Sequence, residues 1–537
     1  MNTFIVNYTV AGENKTASAS NDDLELVAAE EDGRVTTLLR AKKELRLLSV
    51  FQELPFSTDK DDLYFLNGYQ SWTDTKEFTV SERERDVSKL PKFLVNAFAF
   101  DRYGDASFYK YGKNVMHGYD VFYAKGKREK FVLNLNYTRS YLLIELDKKK
   151  NTLTLSHDFN GYAVAEGAEI PAMDYYVSDS VAEGMEFFNS AFPKKNVPKV
   201  FGYTSWYNYY QDINEAIILR DLNALDHKFN LFQIDDGYET KVGDWLSVDD
   251  SKFPNGLKPI VDAVHEKGLS AGIWLAPFVA ESESELFKTR KDLFKRDAKG
   301  EFVKCGANWS GFYALDLNNP DALGYIEKCL RHYAEMGFDF FKLDFLYAAS
   351  LEATDGMSRS MCAEKAYTFL RECLDGKVIL GCGATVFNCI NKFDYLRVGP
   401  DVSLIFDDVW FMRKMHRERV STKVTLQNTI YRSFFNERLF GNDPDVFLLR
   451  DDNIKLSDKQ KKALITLNAL FGSVLMTSDN IGAYDDEKKQ TLAEALELFH
   501  NARVDNFARH GDIIEIDYDI NDKTQKIKYD TKRGILV

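Results

Sequence analysis

The segment DALGYIEKCLRHYAEMGFDFFKLD, residues 321–344, joins an amphipathic pattern to a short apolar run that ends in a carboxylate. Over residues 321–336, apolar side chains recur every three or four positions, which predicts a helix with one buried face. Residues 338–345 are apolar enough for a strand that is covered on both faces, as in parallel sheets. The segment therefore predicts one helix–strand unit of an α/β fold.

The same alternation extends on both sides of this segment, from Val200 to about residue 480. Strand patterns occupy residues 200–207, 231–236, 270–277, 338–345, 378–383, 395–399, 446–449 and 472–477, of which 446–449 is the weakest. Helical patterns occupy residues 214–225, 257–267, 321–336, 362–374 and 458–470. Repeated units of this number predict a central (β/α)8 TIM barrel.

The segments before and after this region have a different pattern. Short alternating runs at residues 3–9, 24–28, 131–137, 141–146 and 152–158 lie between Gly, Asn, Asp and Lys clusters, which predicts a β-sandwich. After about residue 490, a helix precedes short strands at 513–518, 526–529 and 534–537. We predict a multi-domain chain with an N-terminal β-sandwich at 1–180, the barrel at 181–490 and a small C-terminal β domain at 491–537.

The composition argues against several classes of partner. The chain of 537 residues has a net charge of −14 and a pI of about 5.3, so it has no electrostatic reason to bind nucleic acid or an anionic membrane. No apolar run is long enough for a membrane span and no leader pattern opens the sequence, so we expect a cytoplasmic protein. All six cysteines lie between Cys305 and Cys389 without CxxC spacing, which predicts reduced thiols rather than disulfides or a zinc site.

The predicted strand ends are the places where a barrel carries its chemistry. Asp344 follows a strand that is apolar on both faces, where a charge is costly unless it is paired. Lys342 lies on the same face of that strand and is expected to keep Asp344 ionised. An ionised carboxylate at a barrel mouth suits attack on an anomeric carbon. A salt-bridged aspartate that tethers a loop would leave the same pattern.

A second carboxylate follows the sixth predicted strand. Asp401 comes directly after Gly399 and Pro400, and the proline stiffens this loop. A rigid carboxyl at this position could protonate a leaving oxygen, whereas a helix N-cap or a turn residue is the structural alternative. Asp407 and Asp408 lie just downstream and are rival acids.

Candidate binding residues follow the second and third predicted strands. Asp235 and Asp236 are adjacent, and paired carboxylates can accept hydrogen bonds from sugar hydroxyls. Alternatively, one of them binds a ligand while the other has a structural partner. Trp274 could stack on a sugar ring or fill the core.

The motifs at these strand ends, taken together and in order, resemble those of glycoside hydrolase family 36, which belongs to the α-galactosidase clan. The resemblance runs from about Val200 to Asn480 and extends more loosely to FLNGYQSW at 65–72. Its motifs are FGYTSWYNYY (201–210), FQIDDGYETKVGDW (232–245), GIWLAPF (272–278), YALDLNNP (313–320), FFKLDFLYA (340–348), LGCGATVF (380–387), RVGPDVS (397–403) and FGNDPDVFLLR (440–450).

The resemblance implies a retaining α-galactosidase that removes terminal galactose by double displacement, without a cofactor or a metal ion. The K-x-D motif implies that Asp344 is the nucleophile, and the R-x-G-P-D motif implies that Asp401 is the acid/base. By the same motifs, the substrate-binding residues are Asp235, Asp236, Trp274, Lys342, Cys382 and Arg397, with Trp72 and Tyr207 as additions. The expected substrates are small oligosaccharides of the melibiose or raffinose type.

The sequence also departs from the longer members of this family. LGCGATVF stands where they carry a C-S-G-G-G motif, so the resemblance gives no basis for expecting their tetrameric assembly in this chain. The oligomeric state stays open, and a monomer is compatible with the sequence. Within the family, an α-N-acetylgalactosaminidase or an α-galactosyl transglycosylase is an alternative. Outside it, the alternatives are a non-catalytic carbohydrate-binding protein and a metal-dependent barrel lyase.

Overall fold

The computed structural model describes residues 3–354 and 356–537. Residues 4–178 form two antiparallel sheets whose inner faces share one apolar core. One sheet has the spatial order Glu13–Ala17, Phe4–Val10, Leu45–Pro55, Thr152–Val164, Leu142–Asp147 and Val115–Tyr119. The other has the order Leu24–Glu31, Arg34–Ala41, Glu169–Ser178, Lys130–Asn134, Val121–Lys125, Leu63–Leu66 and Lys76–Thr79. Buried and partly exposed side chains alternate along Thr152–Val164, which is the pattern that predicted strands here.

This N-terminal region is not made of strands alone. Little helical periodicity is visible in this part of the sequence, but a short helix, Lys92–Phe98, lies between strands Lys76–Thr79 and Val115–Tyr119 in the chain. Five of its seven residues are apolar but they are not confined to one face, since Val95 is buried whereas Phe93 and Phe98 are exposed. The amphipathic pattern was therefore too weak to predict it.

A parallel sheet forms the centre of the molecule. Its strands are, in spatial order, Gly441–Asp443, Tyr395–Arg397, Val378–Gly381, Phe340–Leu343, Ser270–Leu275, Leu231–Ile234, Val200–Thr204, Val474–Thr477 and Val446–Phe447. The predicted strands are confirmed in position, and most of them end several residues earlier than predicted. The residues that were predicted as strand ends, such as Asp235 and Asp344, instead begin the loops at the carboxyl edge of the sheet.

The seventh predicted strand, 446–449, is different in the structure. The chain here forms two short strands, Gly441–Asp443 and Val446–Phe447, which pair with opposite edges of the sheet. Pro444 cannot donate a ladder hydrogen bond, and Asp445 has a φ of 74°, so the strand breaks between them. Only these two residues separate the two edge strands, so the chain passes directly from one edge of the sheet to the other.

The predicted helices of this region are confirmed. They are Glu215–Ala224, Lys258–Glu266, Pro320–Met336, Arg359–Cys373 and Asp458–Phe471. In the longest, the Asn319 side chain caps the first turn, Pro320 occupies the first helical position and Gly337 ends the helix with a φ of 113°. Helices that the sequence did not predict are Val181–Ala191, Trp206–Tyr209, Glu285–Thr289, Trp410–Met415 and Thr422–Tyr431.

The C-terminal residues form a helix and an antiparallel sheet. Helix Asp486–Asn501 is followed by strands Arg503–His510, Ile513–Ile520, Lys523–Asp530 and Ile535–Leu536. Arg503–His510 was not predicted, because most of its side chains are polar and exposed. Ile514, Ile516 and Tyr529 join the core of the parallel sheet, so this segment packs on the central region as expected.

Two further expectations concern helix length and cysteines. In the part of the chain that the structure describes, no helix combines the length and the apolar character that a bilayer crossing needs. All six cysteines lie in that part, and each is buried and free, as their spacing predicted.

Candidate active site

The parallel strands bring the predicted functional side chains to one edge of the sheet. Asp235 and Asp236 directly follow Leu231–Ile234, and Asp344 follows Phe340–Leu343. In the pairing of neighbouring strands, Trp274 lies opposite Lys342. Together these side chains surround a pocket of about 270 Å³. The predicted residues that line it are Trp72, Asp235, Asp236, Trp274, Lys342, Asp344 and Asp401.

Asp344 is held in a fixed orientation at the base of this pocket. Its Oδ2 accepts a hydrogen bond from Trp274 Nε1 at 3.0 Å, and its Oδ1 accepts one from the Phe345 backbone N–H at 2.7 Å. The side chain is 8% exposed. Burial raises the pKa of Asp344, the Lys342 ammonium opposes this, and the nearby charge of Asp401 adds to it. Trp274 therefore acts here as a hydrogen-bond donor to Asp344.

Lys342 has a different direct partner from the one that the sequence suggested. Its Nζ donates to Asp235 Oδ2 at 2.8 Å, so it acts on Asp344 only through its charge. The same Asp235 oxygen accepts from Gln233 Nε2 at 2.8 Å and Thr204 Oγ1 at 3.0 Å. Burial opposes the charge on Lys342, but the Asp235 carboxylate raises the pKa of Lys342 above its usual range. Asp235 and Lys342 form a buried ion pair at the pocket floor.

Asp236 lines the same pocket with partners that the sequence did not indicate. Its Oδ1 accepts from Gln211 Nε2 at 3.0 Å, and its Oδ2 accepts from Trp309 Nε1 at 2.9 Å. Trp309 lies in the loop between the short strands Lys304–Gly306 and Phe312–Ala314. Both carboxylates of the Asp235–Asp236 pair therefore reach the pocket, although adjacent strand residues would point to opposite faces.

Arg397 lies behind Asp401 and outside the lining of the pocket. It is 2% exposed, and its guanidinium contacts Asp443 at 2.9 Å, Asp445 at 2.8 Å and Asp401 at 3.1 Å. Tyr207 completes this cluster, because its hydroxyl donates to Asp445 at 2.6 Å. Asp401 itself is 34% exposed at its side chain, so its carboxyl is held by Arg397 and open to the pocket. Arg397 and Tyr207 thus contact Asp401 and its neighbours rather than line the pocket.

Replacing Arg397 by methionine should destabilise the protein by about 3–5 kcal/mol, because Asp443 and Asp445 would be left buried without their cation. The measurement is the thermal melting temperature at neutral pH. Arg331→Met is the matched control, since this arginine is 53% exposed and pairs with Glu327 one turn away. It should change stability by less than about 0.5 kcal/mol. If both variants had the same melting temperature, the stability of the cluster would not depend on Arg397.

The two rival acids differ in their surroundings. Asp407 accepts hydrogen bonds from Arg419 Nη2 at 2.9 Å and Ser421 Oγ at 2.8 Å. Burial opposes ionisation of Asp407, but Arg419 and Ser421 lower its pKa, so it is poorly suited to donate a proton. Asp408 lines the pocket and keeps its place as a rival to Asp401.

The N-terminal region contributes one wall of the site through Trp72. The indole N–H of Trp72 donates to the Cys382 thiol at 3.4 Å, and the Ser71 backbone N–H donates to the Ala384 carbonyl at 2.9 Å. Buried Arg432 also donates to the Ser71 carbonyl. Burial raises the pKa of Cys382, so the thiol is neutral. Cys382 therefore positions Trp72 and does not line the pocket.

Sequence reasoning missed several residues of the pocket. Most of them lie in irregular loops, where no periodicity marks them, and the only signal was their aromatic or polar character. Those that the structure adds to the lining are Phe100, Tyr103, Trp206, Asn308, Trp309, Phe345, Pro400, Met412, His416, Glu418, Arg419 and Val420.

Comparisons with known proteins agree with this geometry. A family model described as Melibiase matches residues 185–370. An alpha-galactosidase of Escherichia coli is 35% identical over 104 residues, which is 18% of this chain and 14% of that protein. The A type blood alpha-D-galactosamine galactosaminidase of Flavonifractor plautii is 32% identical over 124 residues, which is 21% of this chain and 11% of that protein. These alignments cover far less than two thirds of either relative.

A solved structure covers nearly the whole chain. TtGalA, an alpha-galactosidase from Thermus thermophilus in complex with p-nitrophenyl alpha-D-galactopyranoside, superposes with a TM-score of 0.72 and 25% identity, over 93% of this chain and 98% of that chain. This confirms the resemblance to glycoside hydrolase family 36 that the motifs indicated. The same Thermus protein in complex with stachyose superposes with a TM-score of 0.70 and 26% identity, over 88% of this chain and 99% of that chain.

Proposed function

We propose that this protein is a retaining, exo-acting α-galactosidase of the melibiase family that hydrolyses terminal α-linked galactose from oligosaccharides. The observation that carries the proposal is the placement of Asp344 and Asp401 on one small pocket with a polar floor. One carboxylate is buried and fixed, whereas the other is open to the pocket. This difference suits a nucleophile and a proton donor, respectively.

In this mechanism Asp344 attacks C1 of the bound galactoside and forms a covalent glycosyl ester. Asp401 protonates the leaving oxygen, and then removes a proton from the water that hydrolyses the ester. The hydrogen bonds from Trp274 and from the Phe345 backbone to Asp344 keep the attacking carboxylate aligned. Proton transfer and charge stabilisation come from side chains of this chain alone, so the mechanism needs no cofactor or metal ion.

Galactose would be recognised at the floor of the pocket. Asp235, Asp236 and Lys342 are buried and charged, and they can accept from and donate to ring hydroxyls. A site that bonds an axial 4-hydroxyl rejects the equatorial isomer strongly, because its buried polar groups would be left unpaired. Trp72 closes one side of this pocket from the N-terminal region. Cys382, Arg397 and Tyr207 would support the site from behind.

We also propose a domain organisation for this function. A β-sandwich at 1–180, a catalytic (β/α)8 barrel at 181–490 and a small β domain at 491–537 agree with the sheets that these segments contain. Closure of the parallel sheet into a barrel is supported by its edge strands, Gly441–Asp443 and Val446–Phe447, which follow one another in the chain. The unpaired buried cysteines support a reducing compartment, so we place the enzyme in the cytoplasm. Its partners would be small oligosaccharides of the melibiose or raffinose type.

An α-N-acetylgalactosaminidase is the second candidate function. The observation that favours it is the similarity to the Flavonifractor galactosaminidase. This donor carries an acetamido group at C2, so the two functions differ in the room that the pocket leaves beside that carbon. A transglycosylase would share the donor pocket and differ in its acceptor site.

Release of p-nitrophenol from the α-galactoside, the α-N-acetylgalactosaminide and the α-glucoside tests the proposal. We expect kcat/KM for the galactoside to exceed that for the glucoside by about 10,000-fold or more, because the equatorial 4-hydroxyl of glucose would leave buried polar groups of the pocket unpaired. A preference for the α-N-acetylgalactosaminide would support the second candidate function instead. Absence of activity on every donor would contradict both.

A further inference from the structure

Glu239 is a buried carboxyl close to the catalytic pocket but outside its lining. The side chain is 5% exposed, although an isolated glutamate is seldom buried so completely. Its Oε2 accepts a hydrogen bond from the Gly237 backbone N–H at 3.2 Å. Its Oε1 is also buried, and in the described ranges no donor reaches it. A carboxylate oxygen in this situation would lose its hydration without compensation.

The group that faces Glu239 is the carboxyl of Asp236. Gln211 and Trp309, which donate to Asp236, line the same cavity as Glu239. The two carboxyls can therefore share a hydrogen bond when one of them is protonated. Two buried carboxylates in contact cannot both be ionised at moderate cost. Burial and the charge of Asp236 raise the pKa of Glu239 well above its usual range, and burial also raises that of Asp236. A single proton shared by the two carboxyls removes their repulsion. If Glu239 Oε1 carries this proton, it no longer needs a hydrogen-bond donor.

The turn between the two carboxyls explains why they meet. Gly237 has a φ of 118°, which a side-chain-bearing residue rarely adopts. A Cβ at this position would lie 2.7 Å from the Gln211 Cα, so the close approach also requires glycine. This turn lies between Asp236 and Glu239 in the chain and allows their carboxyls to approach each other.

We propose that Glu239 is a positioning residue that stays protonated and donates a hydrogen bond to Asp236, which keeps Asp236 ionised and oriented for substrate hydroxyls. The inference rests on the proposed function, in which Asp236 binds the sugar. Gln211 and Trp309 donate to Asp236 from other directions, so the proton of Glu239 completes its set of donors. Glu239 thus acts on the substrate only through Asp236.

The other charged groups around this pair have partners of their own. Lys342 is paired with Asp235, and Lys252 donates to the carbonyls of Gln211 and Gly237. Glu239 is one of the residues that line a second cavity of about 370 Å³, together with Lys241, Asp249, Glu281 and Glu283. Lys241 pairs with Glu283, and Glu281 accepts from Val242 and Ser310. The hydroxyls of Tyr238 and Tyr333 donate to the carbonyls of Trp274 and Trp245.

This arrangement makes substrate binding sensitive to pH. The native state keeps the proton of Glu239 at pH values where the unfolded chain has lost it. Stability from this pair is therefore fully present below the ordinary glutamate pKa, and it is lost as pH rises through the raised pKa of the folded state. Above that raised pKa, repulsion between two carboxylates would disturb Asp236 and weaken substrate binding.

The experiment compares wild type with Glu239→Gln, Glu239→Leu and the control Glu283→Gln. Glutamine still donates a hydrogen bond but cannot titrate, and Glu283 is an exposed acid of the same cavity. KM and kcat for p-nitrophenyl α-galactoside are measured from about pH 5 to about pH 9. In wild type and the control, KM should rise as pH increases through the raised pKa of Glu239, with a smaller change in kcat. In Glu239→Gln this rise should be absent, and in Glu239→Leu KM should be about tenfold higher throughout, since a donor to Asp236 is lost.

A second readout, the melting temperature of the substrate-free proteins over the same pH range, does not depend on activity. Wild type and Glu283→Gln should lose stability as pH rises from the ordinary glutamate pKa through the raised pKa of Glu239, whereas Glu239→Gln and Glu239→Leu should lose less. If KM of Glu239→Gln rose with pH as it does in wild type, or if the two melting profiles were equal, the inference would be overturned. The proposed α-galactosidase activity would not be affected by that result. If the wild type had no α-galactosidase activity but still lost more stability with rising pH than Glu239→Gln, the proposed function would be refuted. The shared proton would then still be supported.

Discussion

Replacing Asp344 by alanine is expected to lower kcat for p-nitrophenyl α-galactoside by about 10,000-fold or more, because the step that forms the glycosyl ester loses its nucleophile. The melting temperature should stay close to that of wild type, since alanine removes a carboxyl whose ionised form burial disfavours. The comparison of kcat with melting temperature separates a chemical defect from misfolding. Asp344→Asn should show the same loss of kcat with the shape of the side chain preserved.

The matched control for Asp344 lies on the same strand segment. Asp339 precedes Phe340–Leu343 at the opposite edge of the sheet, where it is 40% exposed and bonds His265. Asp339→Asn should keep full activity. If Asp344→Ala also kept wild-type activity, the nucleophile would be another group and the double-displacement mechanism proposed here would be wrong.

The pH dependence of the wild-type enzyme gives a further check on Asp344. Attack requires the ionised carboxylate, so activity should fall as pH decreases through the pKa of this group. Burial and the charge of Asp401 raise that pKa, against the opposing effect of Lys342. The acid limb of kcat/KM should therefore lie at a higher pH than an ordinary aspartate would give.

Much of the central fold could be predicted because its elements are long or strongly patterned. Pro320–Met336 has an apolar face, a capping asparagine and a terminal glycine, so its sequence marks both ends. The buried strands around it read as continuous apolar runs. Since parallel strands end at one edge, their order alone placed Asp235, Asp236 and Asp344 near one another.

The features that could not be predicted depend on contacts between distant segments. Gly441–Asp443 is polar and short, and only pairing with Tyr395–Arg397 makes it a strand. Trp309 lies in an irregular loop, and its hydrogen bond to Asp236 spans 73 positions in sequence. Lys342 was correctly placed at the site, but its direct partner is Asp235 rather than Asp344, which only the tertiary structure decides. Local periodicity carries no information about such pairings.

Replacing Asp401 by alanine should produce a loss that depends on the leaving group. General acid catalysis contributes about 100- to 10,000-fold, and its contribution is largest when the leaving alcohol is a poor one. We therefore expect a loss in that range for melibiose, whose leaving group is a sugar hydroxyl. The loss of kcat/KM for p-nitrophenyl α-galactoside should be much smaller, because p-nitrophenolate leaves without a proton. Initial rates on both substrates provide the measurement.

The second half-reaction gives Asp401 a signature that a structural residue would lack. Without a general base the glycosyl ester on Asp344 is hydrolysed slowly, so the alanine variant should show a burst of p-nitrophenol followed by a slow steady rate. Azide needs no base to attack, so it should raise that steady rate and yield a glycosyl azide. Asp408→Ala is the matched control, because Asp408 also lines the pocket. Full activity of Asp401→Ala on melibiose, together with these signatures in Asp408→Ala, would transfer the acid/base role to Asp408.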